Sequence, residues 1–396
     1  MAKLASLIPS VGNALGIFVV NNITVPYIEP FPKPLKGTPY ESMAIINSML
    51  TEKFCCRSLA PVVRRQETYM KKSLIITGIV LTLISCNGCS KKTSNPVEPN
   101  NSIGWTEVNN GLPANSGVST LLASGTNLFA GVGSEVFIST NNGTNWTPIN
   151  TGLPLNNGVV SLAVSGANLF VSIQYNAVYD TGGVFVSTNN GASWTVADSG
   201  LNTIVDAFLV SGTNLFAGGV RGVFLSTNSG KSWNTINSGL PREPFVAAFA
   251  SSGNNLFVGT QNGIFLSTNN GTNWTAVNTA LTWQNYATTL SVSGTNIFAG
   301  TCQGKVYIST NNGTTWTAVD SGLTDIWVNA MLVSGMNIFL GSEGYIFQTN
   351  NNGISWNAID SGFFQVSSFA VLRSDLFVGY GNIGGNKNGV WKRPLN

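Results

Sequence analysis

The chain has 396 residues, with 19 lysines and arginines against 16 aspartates and glutamates, and it contains no histidine. The lack of histidine excludes a Ser-His-Asp or Cys-His catalytic apparatus and the common imidazole metal sites. Residues 105–396 hold eight lysines and arginines against eleven aspartates and glutamates, so the overall positive charge belongs to the first hundred residues. Because no stripe of basic residues with interleaved aromatics occurs, the sequence predicts no nucleic-acid partner.

Residues 1–69 carry four prolines between positions 26 and 34, an adjacent pair of cysteines, and no repeat or clear periodicity. We interpret this stretch as a mis-extended or disordered leader and Met70 as the true initiator. An uncommonly long leader is the alternative. Mass spectrometry of the mature protein distinguishes the two, since any peptide from residues 1–69 would overturn the first interpretation.

Residues 70–85 have the layout of a secretory signal peptide. The segment starts at Met70 with two lysines, continues with an apolar stretch, and ends in a small residue, Ser85. An apolar stretch of about a dozen residues is too short to span a bilayer comfortably. These features predict an exported protein.

The end of this segment, Leu83-Ile-Ser-Cys86, resembles the bacterial lipobox, whose cysteine is lipidated and becomes the mature N-terminus. The resemblance implies a membrane anchor at Cys86 and a place in the bacterial cell envelope. A short hydrophobic segment with a chance cysteine is the alternative. Residues 86–104 are polar and contain no core-forming run, which is typical of a flexible tether.

From residue 105 onward, one eight-residue motif recurs six times. This octet has serine or threonine first, asparagine third, glycine fifth and tryptophan eighth, and it starts at Ser139, Ser187, Ser226, Ser267, Ser309 and Thr349. Trp105 opens the series without the preceding residues of the octet. The successive tryptophans lie 41, 48, 39, 41, 42 and 40 residues apart. Periods of this size indicate a propeller or another repeat array.

Each period contains four short β-rich runs separated by Gly, Asn, Ser and Pro clusters. One example comprises Trp146–Asn150, Val159–Val164, Asn168–Val171 and Gly183–Ser187. Such runs predict four strands joined as a meander. No window shows a sustained apolar period of 3.6 residues, so we predict no helix in this region.

In each period, an apolar run follows the short run that begins with the tryptophan. Its seven copies predict seven blades. These copies are anchored at Val118, Val160, Val205, Val246, Ala287, Val328 and Val366. The chain ends in a third run at Val390–Pro394 with no fourth, while Trp105–Asn109 stands alone at the other end. We therefore predict an all-β fold over residues 105–396, a monomeric seven-bladed β-propeller of four-stranded antiparallel blades. The N-terminal strand closes the last blade, which removes open sheet edges.

The octet resembles the Asp-box of BNR-repeat and sortilin-like propellers, usually written Ser-x-Asp-x-Gly-x-x-Trp, with Asn at the Asp position. Asn can bond its own backbone two residues on and tolerates left-handed geometry, glycine supplies a positive φ, and tryptophan offers an apolar anchor. The resemblance implies a folding element on the face away from any active site. Because amides replace carboxylates, we predict no calcium site. The lack of histidine and of paired cysteines inside the propeller predicts no other metal site, and we expect no cofactor. The structural octet residues are Asn141, Gly143, Trp146, Asn189, Gly191, Trp194, Asn228, Gly230, Trp233, Asn269, Gly271, Trp274, Asn311, Gly313, Trp316, Asn351, Gly353 and Trp356.

The repeat also separates a uniform face from a variable face. The octets and the Ser-Gly-Thr-Asn turns lie at one end of the blades, while the two-to-three and four-to-one connections lie at the other end and differ between blades. Departures from a repeat are where function is placed on a uniform scaffold. The predicted ligand-binding residues of the variable face are Trp283, Gln284, Tyr286, Trp327, Phe363, Tyr175 and Arg221. The alternative is that Trp283 and Trp327 plug the central channel.

Three functions of different classes follow. We expect a non-catalytic, lipid-anchored envelope protein that binds a protein or a carbohydrate through the variable face. The second is a sialidase-like glycosidase, which the Asp-box resemblance suggests. It would need an arginine cluster, whereas residues 105–396 contain only Arg221, Arg242, Arg373 and Arg393. The third is an assembly factor for a membrane complex similar to the Ycf48/Hcf136 family, whose basic arginine patch this chain does not provide.

Overall fold

The computed structural model describes residues 15–20, 23–28, 104–114, 116–176, 181–277, 281, 286–323, 327–363, 365–381 and 388–395. The chain divides into two units, Met1–Gly78 and Ile79–Asn396. The first contains an antiparallel hairpin of β1 Leu15–Val20 and β2 Ile23–Ile28, where the sequence analysis assigned no strand. The predicted signal peptide, the lipidation site Cys86 and the tether up to residue 103 lie outside the described residues.

The described part of the second unit is built from strands. They begin with β3 Thr106–Glu107. The first three blades are β4 Val118–Ser124, β5 Asn127–Val132, β6 Glu135–Ser139 and β7 Thr147–Pro148; β8 Val159–Ser165, β9 Asn168–Asn176, β10 Thr181–Ser187 and β11 Thr195–Val196; and β12 Val205–Ser211, β13 Asn214–Gly219, β14 Gly222–Ser226 and β15 Asn234–Thr235.

The remaining four blades repeat the pattern. They are β16 Val246–Ser252, β17 Asn255–Thr260, β18 Gly263–Ser267 and β19 Thr275–Ala276; β20 Ala287–Ser293, β21 Asn296–Thr301, β22 Val306–Ser309 and β23 Thr317–Ala318; β24 Val328–Ser334, β25 Asn337–Ser342, β26 Gly344–Thr349 and β27 Asn357–Phe363; and β28 Val366–Leu372, β29 Asp375–Tyr380 and β30 Gly389–Pro394.

The blades form a closed ring of seven. Each four-stranded sheet is an antiparallel meander whose first strand is innermost, and each inner strand contacts the inner strand of the next blade, including β28 against β4. The last sheet has the order β28-β29-β30-β3, with Thr106 opposite Lys392 and Glu107 opposite Trp391. The Val108 amide then donates to the Val390 carbonyl over 3.0 Å. The predicted seven-bladed propeller, closed by the N-terminal strand, is confirmed.

The octet forms the same turn in all six copies. In the first copy, Ser139 Oγ accepts a hydrogen bond from the Gly143 amide at 2.9 Å, and Asn141 Oδ1 accepts one from the Asn145 amide at 2.9 Å. The asparagine therefore bonds four residues ahead, not two as expected. Positive φ falls on the fourth and fifth positions, with 59° at Asn142 and 83° at Gly143. The tryptophan of each octet donates its indole N–H to a main-chain carbonyl of the preceding blade.

Glycine near the end of the second strand lets neighbouring blades approach closely. A Cβ at Gly341 would lie 2.2 Å from Val366 Cγ1 of the next inner strand, so no larger residue fits without movement. Blade two has Ser172 at this position, and its hydroxyl donates to the Val205 carbonyl of the next blade over 2.6 Å. This packing sets the angle between blades and holds the inner strands in place.

Two details differ from the sequence-based expectations. The anchor of the second inner strand is Val159, not Val160, because Val159 pairs with Ile173 as Val118 pairs with Val132. The extra residues of the 48-residue period lengthen a hairpin, since β9 runs to Asn176 before the chain turns. Two adjacent valines leave the register ambiguous by one residue, which the sequence pattern alone does not resolve.

Candidate ligand-binding site at the start of the inner strands

The variable face is the end of the ring at which the seven inner strands begin. We call the residue immediately before each inner strand the rim residue. All seven are half-buried, and in blades one to seven they are Gly117, Gly158, Ile204, Phe245, Tyr286, Trp327 and Gln365. Because the seven positions are equivalent, they surround the entrance to the central channel of the propeller.

The rim is held by main-chain hydrogen bonds. The Gly158 carbonyl accepts from the Gln174 amide at 2.8 Å, and the Gln365 carbonyl accepts from the Gly381 amide at 3.0 Å. Equivalent bonds reach the carbonyls of Gly117, Phe245 and Tyr286, at 3.3, 3.2 and 3.2 Å. These bonds extend the pairing of the first two strands beyond the sheet, so the rim side chains project from ordered main chain.

Large and small side chains are segregated around the rim. The four consecutive blades three to six carry Ile204, Phe245, Tyr286 and Trp327, which we call the apolar arc. Blades seven, one and two carry glutamine and two glycines. A Cβ at Gly117 would lie 2.6 Å from the Gly381 carbonyl oxygen, so this position cannot hold a side chain without movement. The entrance is therefore lined by large side chains in blades three to six and by glycines in blades one and two. We call the glycine part the low side of the rim.

Two residues after the rim residue, every inner strand has a β-bulge. The register shifts between the first and third residues of all seven inner strands. Bulges re-aim a side chain and are over-represented next to functional sites. The bulge residues of blades one to seven are Ser119, Val160, Asp206, Ala247, Thr288, Asn329 and Ser367.

The bulge residues differ in their hydrogen bonds. Thr288 Oγ1 donates to the Val328 carbonyl at 2.6 Å, and Ser367 Oγ donates to the Val118 carbonyl at 2.5 Å, each bond reaching the next blade. Asn329 is only 8% exposed, and its Nδ2 is buried with no hydrogen-bond partner among the described residues. A buried donor without a partner costs about 1–3 kcal/mol. This donor lies two residues from Trp327 but is enclosed by the protein, so it is not a contact point for a ligand at the entrance.

The structure brings together two of the predicted binding residues and separates others. Tyr286 and Trp327 occupy the same position in neighbouring blades. Arg221 is exposed in the turn after β13, and Tyr175 lies near the end of β9. Phe363 is the last residue of β27, opposite Gly344, and not part of the connection to the next blade. Trp283 and Gln284 lie outside the described residues.

Phe245 and Ile204 were missed by the sequence analysis. Both belong to the apolar arc, and the signal that reveals them is the alignment of the residue before each inner-strand anchor. A search for tryptophans that fit no repeat position overlooks smaller apolar residues at the rim position. The arc is a graded series across four blades, from isoleucine to tryptophan.

The arginines do not converge on the entrance. Arg221 and Arg242 are exposed on the variable side, while Arg373 lies in the turn between β28 and β29, at the uniform end. Arg393 belongs to β30, where its guanidinium lies 5.7 Å from the centre of the Trp105 ring. Within the described ranges, no three His, Cys, Asp or Glu side chains come together in a way that could hold a metal ion.

Ionisable groups are buried at the boundary between blades six and seven, next to the rim, since Tyr380 pairs with Val366, the first residue of the inner strand. Burial, with a smaller contribution from the nearby Asp360, raises the pKa of Tyr380 well above its usual value. Burial lowers the pKa of Arg393, and the charge of Asp360 opposes that shift. Asp360 is only 7% exposed in β27. At this blade boundary no octet precedes the fourth strand, which Trp105 opens. We assign the three ionisable residues to the packing between blades.

Comparison with known proteins supports the fold. Residues 205–332 match the DUF6242 beta propeller domain. No curated protein matches the chain. No helix among the described residues is long and apolar enough to cross a membrane.

Solved structures resemble the chain at low sequence identity. The extracellular domain of BT4673 from B. thetaiotaomicron is 14% identical with a TM-score of 0.60, and the match covers 72% of this chain and 39% of that one. YCF48 from Cyanidioschyzon merolae is 14% identical with a TM-score of 0.56, covering 73% and 98%. The GH74 xyloglucanase from Xanthomonas campestris is 15% identical with a TM-score of 0.58, covering 74% and 54%. The chain thus spans well under half of the BT4673 structure, and these similarities establish the fold alone.

Proposed function

We propose that this protein is an exported, non-catalytic binding protein whose propeller takes a protein or carbohydrate ligand at the variable face. The observation that carries the proposal is the apolar arc: four consecutive blades present half-buried apolar side chains at one register position, next to the polar rim residue Gln365 of blade seven. Ligand sites combine apolar and aromatic walls with a few polar groups.

Export and lipid anchoring through Cys86 belong to the same proposal. The basic start at Met70, the apolar stretch and the Leu83–Cys86 segment support them. The similarity to an extracellular domain is consistent with this location. Labelling with a fatty-acid analogue tests the anchor: the wild-type chain should incorporate the label and the Cys86→Ala variant should not. Label in both would rule out Cys86 as the site.

Several features favour binding over catalysis. The chain contains no histidine, and its four propeller arginines lie on separate elements at both ends of the ring. Sialidase-type chemistry depends on convergent arginines around a carboxylate. The similarity to a GH74 enzyme leaves a glycosidase as the competing proposal, and a shared fold alone does not carry that activity over.

An assembly factor is the second candidate. The match to YCF48 covers 98% of that chain, and a YCF48 structure with bound D1 peptide is similar with a TM-score of 0.57 at 13% identity. A protein of the same propeller size can thus present a peptide-binding surface. In this candidate function, the ligand of the variable face is a segment of an envelope protein.

The test measures turnover and binding with the full chain. Fluorogenic sialosides and xyloglucan oligosaccharides report hydrolysis, while glycan and peptide arrays report binding. We expect binding without turnover, and loss of binding in Trp327→Ala. The matched control is Met336→Ala, a 76% exposed residue of the same blade at the uniform end, which should bind like the wild type. Substrate hydrolysis, or equal binding by Trp327→Ala and the wild type, would contradict the proposal.

A further inference from the structure

We infer that the apolar arc is the recognition surface for an uncharged carbohydrate chain, which enters over the low side of the rim. This inference rests on the proposed binding function and specifies the ligand of the same site. It is carried by the side chains of the rim and bulge positions, their charge, and the hydrogen-bonding groups that the rim leaves available.

The arc presents aromatic rings at successive equivalent positions. Phe245, Tyr286 and Trp327 precede three neighbouring inner strands, so the ring symmetry places them at a regular interval around the entrance. Aromatic faces carry partial negative charge and attract the weakly positive C–H groups of flat apolar surfaces. A sugar ring offers such a face, and an oligosaccharide repeats it at regular intervals. The three residues are half-buried, so part of each side chain is packed and part is accessible.

Charge argues for a neutral ligand. None of the seven rim residues is charged at neutral pH, and among the seven bulge residues only Asp206 is acidic. No lysine or arginine occupies either set, so an acidic sugar or an acidic peptide would find no opposite charge there. The site therefore differs from one built for a sialic acid.

Most of the rim carbonyls are already hydrogen-bonded within the protein. The carbonyls of Gly117, Gly158, Phe245, Tyr286 and Gln365 already accept hydrogen bonds from the second strands. An extended peptide that adds to a sheet needs unpaired main-chain groups, and at these five positions the rim carbonyl is taken. The half-buried Gln365 side chain offers a donor and an acceptor, which suit separate hydroxyl groups.

The low side of the rim gives the ligand its path. Gly117 and Gly158 in blades one and two present no side chain, and blade one lies opposite the middle of the apolar arc. A chain can cross this side and place its end against Trp327 and Tyr286.

Calorimetry with the full chain tests the inference. The probes are cellohexaose, mannohexaose, xylohexaose and chitohexaose as neutral chains, sialyllactose and trigalacturonate as acidic ones, and uncharged ten-residue peptides. We expect at least one neutral hexasaccharide to bind and the acidic sugars and peptides not to bind. Tyr286→Ala and Trp327→Ala should each weaken binding on the order of tenfold or more, and Met336→Ala should leave it unchanged.

Further variants keep the test decisive. Trp327→Phe retains a ring and should restore much of the affinity if Trp327→Ala proves unstable. Gln365→Leu, which keeps a side chain of similar size but removes the amide, should weaken saccharide binding. If only peptides bind and Trp327→Ala abolishes that binding, the carbohydrate inference fails and the proposed binding function stands. If acidic sugars bind as tightly as neutral ones, the inference fails as well. If saccharides bind equally to all rim variants, both the inference and the proposed site are wrong.

Discussion

The indole N–H of Trp146 donates a hydrogen bond of 2.7 Å to the carbonyl oxygen of Val108, which lies just beyond the N-terminal strand in the last blade. The bond joins the first octet to the strand that closes the ring. The same link recurs between blades, for example from Trp356 to the Val319 carbonyl at 2.7 Å. The octet thus acts between blades as well as within its own turn.

Replacing this tryptophan should weaken the ring. Trp146→Phe keeps an aromatic ring at a site only 4% exposed but leaves the buried Val108 carbonyl without its donor. We expect a loss of about 1–3 kcal/mol in the free energy of unfolding, measured by urea denaturation. Trp356→Phe breaks the equivalent bond at an ordinary blade boundary and should lose a similar amount. An unchanged stability in both variants would show that the indole bonds do not stabilise the ring.

The glycines of the second strands give a matched pair of substitutions. Gly341→Ala places a Cβ 2.2 Å from Val366 Cγ1, whereas Gly259→Ala places one 3.2 Å from Ala287 Cβ. Overpacking at Gly341 costs about 1–3 kcal/mol in the free energy of unfolding. At Gly259 the clash is smaller, and the loss of entropy that alanine causes in the unfolded chain compensates for it. Thermal denaturation should show a clear loss for Gly341→Ala only. Equal losses would mean that blade contacts do not require glycine.

Asp198 should make stability depend on pH. Burial raises the pKa of its carboxyl above the ordinary value of 3.8, and a main-chain hydrogen bond partly opposes the shift. The folded state therefore holds this proton more tightly than the unfolded state, and its stability contribution falls as pH rises from 3.8 through the folded pKa. The equivalent residues in two other blades are Asn150 and Asn237, whose Oδ1 atoms accept main-chain N–H groups.

Asp198→Asn removes this titration and keeps an acceptor. We expect a higher melting temperature than the wild type at neutral pH, with the difference shrinking to nearly nothing at about pH 3. The same substitution tested at both pH values supplies its own control. A variant that is less stable at neutral pH, or a difference that does not change with pH, would contradict the assigned shift.

The number of blades and the closure of the ring could be predicted because each depends on residues that recur. The octet tryptophans set the period, and the lone runs at Trp105 and Val390 predict one shared blade. The bulges could not be predicted, since a bulge is a main-chain irregularity and the seven residues at that position share no side-chain type. The length of β27 could not be predicted either, since it has seven residues where the other fourth strands have two.

The candidate site was predictable only in part. Trp327 stood out because tryptophan is rare outside the octets, and Tyr286 because it lies beside other polar and aromatic residues. The arc that joins them to Phe245 and Ile204 depends on strand register, which the sequence pattern left uncertain by one residue in blade two. No sequence pattern identifies Asn329, because a buried donor without a partner is a property of the packed structure.

Hydrogen–deuterium exchange with the tightest-binding probe tests the central claim most directly, because it locates the ligand without a substitution. The account predicts slower exchange at the starts of the inner strands of blades four to six, in peptides covering 245–249, 286–290 and 327–331. It predicts no change in the octet turns, such as 139–146 and 309–316. Protection confined to the octet turns, with none at the inner-strand starts, would contradict the assignment of the variable face as the binding site.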